Sequence, residues 1–173
     1  LGKSGKIEHL LLKEEALKPK GIKFFKTNRG GDITFHGPGQ LVGYPILDLD
    51  NFFTDIHKYL RYLEEIIIKT LLDFGLKSTR GYRETGVWLD FNTPFARKIC
   101  AMGVRASRWV TMHGFALNIN TDLSYFDYIV PCGIKGKKVT SLSKELNKQV
   151  DPELVKASLL KYFSEIFEVE IIN

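Results

Sequence analysis

The sequence predicts an α/β domain, helices packed on a β-sheet, and three observations carry that prediction. Residues 53–74 place Phe53, Ile56, Tyr59, Leu60, Leu63, Ile66, Ile67, Thr70, Leu71 and Phe74 at spacings of three and four. That is the pattern of an amphipathic helix, and Gly75 closes it. Residues 98–104 and 110–120 alternate apolar and polar side chains as a pair of neighbouring strands. Asp151-Pro152-Glu153 supplies the cap, the first-turn proline and the acidic charge of a second long helix. Its buried stripe is Val155, Leu159, Tyr162, Phe163 and Ile166.

The remaining elements follow in chain order. Residues 10–17 read as one or two helical turns, stopped by Lys18-Pro19-Lys20-Gly21. Residues 22–27 read as a strand carrying Lys23 and Lys26, and residues 41–47 as another, interrupted or ended near Pro45 because proline cannot donate to a ladder. A glycine-rich motif lies between those two strands. His57 reads as an ordinary surface histidine on the polar flank of the long helix. Residues 87–89 make a short strand after a turn-rich, charged loop at 80–86. Residues 130–134 form a constrained loop, 135–138 a basic tip, and a short helix starts at Ser141.

At 173 residues the chain is long enough for one sizeable core and short for two, so residues 1–173 are expected to form a single domain. The 44% apolar and 26% charged fractions are those of a soluble globular protein. No uncharged apolar run approaches the roughly 20 residues of a membrane span, and the first residues lack the apolar segment of a signal peptide. A cytoplasmic protein with no membrane association is the expectation. Two cysteines, Cys100 and Cys132, make no disulfide framework, and no Cys/His spacing suggests a metal site. The formal charge of +5 favours acidic partners without choosing among them.

Residues 29–40, Arg29-Gly30-Gly31-Asp32-Ile33-Thr34-Phe35-His36-Gly37-Pro38-Gly39-Gln40, hold four of the fifteen glycines. Glycine is costly in conformational entropy, so such a cluster implies bends and a place where something approaches the main chain. Further along, Cys132 sits between Pro131 and Gly133, stiff on one side and unencumbered on the other. With an ordinary thiol pKa near 8.5 only about 3% would be thiolate at pH 7, so a nucleophile here needs a cation or base beside it. Lys98, His36 and His113 are the candidates. Lys98 opens an otherwise apolar strand and could act as ion-pair partner or, once desolvated, as base. Strand alternation favours a different thiol, because Lys98 and Cys100 share parity and would face the same side about 7 Å apart.

Three stretches taken together, the glycine-rich motif, Lys98-Ile99-Cys100-Ala101-Met102-Gly103-Val104-Arg105 and Val130-Pro131-Cys132-Gly133-Ile134, give a clear resemblance. The chain resembles the lipoyl(octanoyl) transferases of protein lipoylation over roughly residues 1–146. The resemblance implies a central mixed sheet with packed helices, similar to the biotin/lipoate protein ligase catalytic domain. It implies Cys132 as the residue that carries the acyl group as a thioester and Lys98 as the lysine that lowers its pKa, with Cys100 in the core. It implies substrate contacts at Arg29, Gly30, Gly31, Asp32, Ile33, Thr34, Phe35 and His36, at Ala101, Met102 and Gly103, and at Gly114, Phe115 and Ala116. The implied donor is octanoyl-acyl carrier protein. The implied acceptors are the lipoyl domains of 2-oxoacid dehydrogenase complexes and the glycine cleavage H protein. No cofactor or metal is implied. The family usually has a further helix and strand upstream, so some N-terminal sequence is expected to be missing from a chain that opens on Leu1.

Two rivals remain in view. An ATP-dependent lipoate or biotin ligase of the same fold would form an adenylate and need no cysteine nucleophile, and the His36-Gly37-Pro38-Gly39 ending and the Cys132 loop argue against it. A basic nucleic-acid-binding module is suggested only by charge and by Lys23-Phe24-Phe25-Lys26, with no recognised binding motif.

Overall fold

The computed structural model describes residues 1–82, 84–130 and 138–172. In chain order its elements are α1 (Glu14–Leu17), β1 (Gln40–Gly43), α2 (Ile56–Asp73), β2 (Thr79–Arg80), β3 (Val87–Leu89), β4 (Arg97–Ser107), β5 (Val110–Asn118), β6 (Lys138–Val139), α3 (Leu142–Leu146) and α4 (Pro152–Phe167). No helix among the described residues is long and apolar enough to cross a membrane.

The long apolar stripe becomes α2, which begins three residues later than the pattern because Asp55 caps it. The Asp55 carboxylate accepts from the backbone N–H of His57 at 2.8 Å and of Lys58 at 3.0 Å, satisfying two otherwise orphan donors. Phe53, left outside, packs edge-on against Tyr62. Tyr59, Leu63, Ile66, Ile67 and Leu71 are buried in one core with Val155, Leu159 and Phe167 of α4 and with Val87, Ile99, Phe115 and Leu117 of the sheet. Phe167, which the sequence pattern left out, closes the stripe of α4 more fully than Tyr162, Phe163 or Ile166, all three of which are half-buried.

The sheet runs β1-β5-β4-β3-β2, with antiparallel neighbours, and β6 joins β4 in parallel. It is therefore mixed, as expected. β4 and β5 form a hairpin whose turn is only Arg108 and Trp109, both at positive φ (47° and 61°), the geometry of a two-residue type I′ turn. β4 runs past the 98–104 expected from the sequence, and residues 105–107 are paired as well. Between β3 and β4 the register slips: Trp88 faces Lys98 while Val87 faces Cys100, leaving Ile99 as the extra residue of a β-bulge.

The strand expected at 22–27 is not one. The segment is unpaired extended chain, held by the Thr27 N–H donating to the Leu1 carbonyl at 2.8 Å. Its alternation is real but serves a different surface. Phe24 packs on the small cluster of Ile33, Phe126 and Ile129, and Phe25 is exposed. The glycine-rich motif is thus followed by a strand, β1, but not preceded by one.

Arg97, at the start of β4, pins α3 to the sheet with a fork onto Glu145, Nε to Oε1 and Nη2 to Oε2 both at 2.6 Å. The Arg97 hydrogen bonds hold the Glu145 carboxyl below its usual value of 4.5, with help from Thr140. A carboxyl whose folded pKa is depressed adds stability above its unfolded pKa and loses it as pH falls through the folded value. Urea unfolding followed from pH 6 to pH 3 should show this loss. Glu145→Gln should remove that part of the slope and cost about 2 kcal/mol at neutral pH; an unchanged slope would show that the pair contributes nothing.

Candidate active site

The Arg29 loop is shaped by its own side chains. Arg29 Nη1 donates to the Gly30 carbonyl at 2.8 Å and Nη2 to the Asp32 carbonyl at 2.6 Å, so the guanidinium braces the turn from within. Asp32 Oδ1 accepts from the Ile33 N–H at 2.6 Å, and Oδ2 pairs with His9 Nδ1 at 2.6 Å. The Gly30 N–H donates to the Val104 carbonyl at 3.0 Å, which lays the loop against β4. Contact there needs glycine on both sides, since a Cβ on Gly103 would stand 2.6 Å from the Gly30 carbonyl oxygen.

What this approach encloses is a cavity of about 310 Å³. Thirteen of the fourteen residues expected to contact substrate line it: Arg29, Gly30, Gly31, Asp32, Ile33, Thr34 and His36 from the loop, Ala101, Met102 and Gly103 from β4, and Gly114, Phe115 and Ala116 from β5. Lys98 lines it too. Phe35 does not. Its ring stacks on Tyr125 at 4.8 Å and meets Phe126 edge-on, facing a second and larger cavity of about 670 Å³ that adjoins the first.

Lys98 is only 6% exposed. Its Nζ donates to the Thr85 carbonyl at 3.2 Å and lies 4.5 Å from the centre of the Trp88 ring. The bulge decides the rivalry between the thiols. Alternation would place Cys100 beside Lys98 on the cavity wall, but the extra residue turns Ile99 and Cys100 into the core as consecutive, fully buried neighbours. Burial pushes the Cys100 thiol far above its ordinary range, against a smaller opposing pull from Lys98. Cys132 lies outside the described residues, as do the rest of the Pro-Cys-Gly loop and the basic tip up to Lys137. The chain that follows is described: β6 pairs Val139 with Lys98, and the Thr140 N–H donates to the Lys98 carbonyl at 2.9 Å.

The two histidines offered as activators take different parts. His36 Nδ1 meets Gln40 Oε1 at 3.2 Å, and burial lowers its imidazole pKa while that contact partly restores it. His113 sits in β5 at φ +62°, a left-handed conformation rare for a residue with a Cβ, and its Nε2 meets Asn28 Oδ1 at 2.7 Å. Both line the cavity. His57 is exposed on α2, as expected.

Sequence reasoning missed Glu64, His9 and Tyr44. Glu64 is fully buried on α2, and its burial went unread because the adjacent glutamates Glu64 and Glu65 read as a solvated flank of the helix. His9 is found only through its contact with Asp32. Tyr44 lines the cavity from just past β1 and sets its ring edge-on to His113 at 6.0 Å.

The family described as lipoyl protein ligase A/B catalytic domain matches residues 1–164, and the chain belongs to that family. Among curated relatives, an octanoyltransferase of Christiangramia forsetii is 70% identical over 172 residues, covering 99% of this chain and 74% of the relative. One of Flavobacterium johnsoniae is 67% identical, covering 99% and 75%. Among solved structures, a bipartite lipoate protein ligase of Thermoplasma acidophilum superposes with a TM-score of 0.75 at 17% identity, covering 98% of this chain and 68% of that one, which shows the shared fold.

Two outcomes follow. Iodoacetamide at pH 7.5 should leave Cys100 unmodified in the folded protein and modify it only after unfolding, as peptide mass mapping would report; rapid native labelling would place it on the cavity wall after all. Gly86, at φ +117° with a virtual Cβ 2.5 Å from the Cys100 carbonyl oxygen, should not tolerate a side chain. Gly86→Ala should cost about 1–3 kcal/mol in urea unfolding, and a variant as stable as wild type would contradict the strain.

Proposed function

We propose that this protein transfers an octanoyl group from octanoyl-acyl carrier protein to a lysine amine of a lipoyl domain, by way of a thioester on Cys132. The observation that carries the reading is the buried Lys98 ammonium in the wall of a cavity floored by backbone. A lysine ammonium held on a cavity wall and shielded from water stabilises a thiolate formed beside it. The octanoyltransferase names of relatives 70% and 67% identical to this chain over the aligned residues support the same substrate.

The steps balance without an energy source. The Cys132 thiolate attacks the donor's thioester carbonyl, the tetrahedral oxyanion collapses, and the carrier's sulfur leaves as a thiolate. The acceptor amine then attacks the new thioester, forms the amide and returns the thiol to Cys132. The first exchange is nearly isoenergetic and the second is downhill. Backbone groups at the glycine-bearing contacts would polarise the carbonyl. His36 or His113, both on the cavity wall, would take the proton that the amine sheds and pass it to the departing Cys132 sulfur. The excess of Lys and Arg favours acidic donor and acceptor surfaces.

The test is intact mass after incubation with octanoyl-acyl carrier protein and no acceptor. Wild type and Cys100→Ser should gain one octanoyl group that hydroxylamine removes; Cys132→Ser should gain none, and Lys98→Met should gain it about 100-fold more slowly. Loss of the adduct in Cys100→Ser alone would overturn the assignment. Octanoylation of the acceptor from free octanoate only when ATP is added would favour the ligase reading.

A further inference from the structure

Among the described residues, two charged side chains fall in the buried class, Glu64 and Lys98, and they lie on either side of one peptide group. Glu64 Oε1 accepts the Gly86 N–H at 2.9 Å. Lys98 Nζ donates to the Thr85 carbonyl at 3.2 Å. The Thr85–Gly86 amide is trans, so its N–H and C=O point opposite ways, with a carboxylate at its positive end and an ammonium at its negative end. Each contact polarises the amide in the sense that strengthens the other.

We propose that Glu64 is a positioning residue for the acyl-transfer site, fixing the Lys98 ammonium on the cavity wall through this single peptide group. The proposal rests on the octanoyl-transfer reading for its activity readout. The geometry allows the amide little freedom: Gly86 is at φ +117°, and the position a Cβ would take lies 3.4 Å from Lys98 Cε. Glu64 is in turn held from below by Arg61 Nη1 at 2.8 Å, one turn earlier on α2, and approached by Arg80 Nε at 3.6 Å from β2. Arg80 also pairs with Glu65. The groups that face the carboxylate are therefore Arg61 and, through Arg80, Glu65 on the helix and β2 side, and Lys98 with the Cys100 thiol on the β4 side; Glu84 lines the cavity near Lys98. Burial raises the Glu64 carboxyl, and the Gly86 N–H followed by Arg61, Arg80 and Lys98 draws it back.

Two measurements decide it. In single-turnover octanoyl uptake, Glu64→Leu, which loses both acceptor and charge, should lower the rate about 100-fold, the cost of misplacing a reacting group by about 1 Å, with the donor KM unchanged. Glu64→Gln keeps an oxygen for the Gly86 N–H and should recover most of that loss. A role confined to stability would lower the folded fraction in both variants and leave the rate per folded molecule as in wild type, which would overturn the proposal. Coupling between two charges is reciprocal, so Lys98→Met should move the Glu64 carboxyl titration, followed by carbon NMR of labelled glutamate, to higher pH. An unmoved titration would overturn the proposal even if the Glu64 variants failed to fold. This second measurement needs no substrate: a wild type that takes up no octanoyl group refutes the transfer reading, and the titration still judges Glu64.

Discussion

A lysine ammonium buried inside a sheet is the constraint around which this structure is arranged. Lys98 is reached by the Thr85 carbonyl and the Trp88 ring, and both come from the loop and strand that the β3–β4 bulge brings into line with it. Without the extra residue at Ile99 the register would set Cys100, not a cavity, beside the ammonium. Desolvating a charge is affordable only where polar contacts replace water, and here a peptide carbonyl on one side and a packed indole on another do so. The glycine-rich loop then supplies the empty space in front.

Much of this was legible in the chain, for physical reasons that differ by element. α2 and α4 declared themselves because their stripes are long, and α4 also because its cap, Asp151, is a side chain that can accept a backbone N–H bond; the Asp55 cap of α2 went unread. One wall of the cavity declared itself through the glycine cluster around Gly30, and the resemblance supplied Gly103 and Gly114; side chains are excluded where Gly30 and Gly103 meet. What misled was alternation. Residues 22–27 alternate because one side covers a small aromatic cluster, and alternation does not say whether the surface beneath is a sheet or a loop. Parity between Lys98 and Cys100 failed for the complementary reason: a bulge shifts the phase by one residue and leaves no mark on composition.

Glu64 was invisible to pattern reading for a further reason. A carboxylate at one position of an amphipathic helix reads as solvent-facing unless its partners are known, and those partners, Arg61, Arg80 and the Gly86 N–H, span 25 residues of chain. Arg61 lies one turn away, but Arg80 and the Gly86 N–H are brought in by tertiary geometry, so the sequence could supply the residues and not the constellation. Phe35 is the converse case, a residue inside the motif whose ring turns away to stack on Tyr125 while its neighbours line the cavity.

On the proposed reading the cavity between the Arg29 loop and the Gly103–Gly114 pair of β4 and β5 holds the acyl chain, and Lys98 serves its thioester end. The most direct measurement is a crystal structure of the wild-type protein after reaction with octanoyl-acyl carrier protein. An octanoyl chain joined to Cys132 Sγ is expected, its methylenes in the cavity lined by Gly30, Gly103 and Gly114 and its thioester on the Lys98 side. A chain lying instead in the neighbouring aromatic groove beside Phe24, Phe35 and Tyr125, or joined to Cys100, would contradict it.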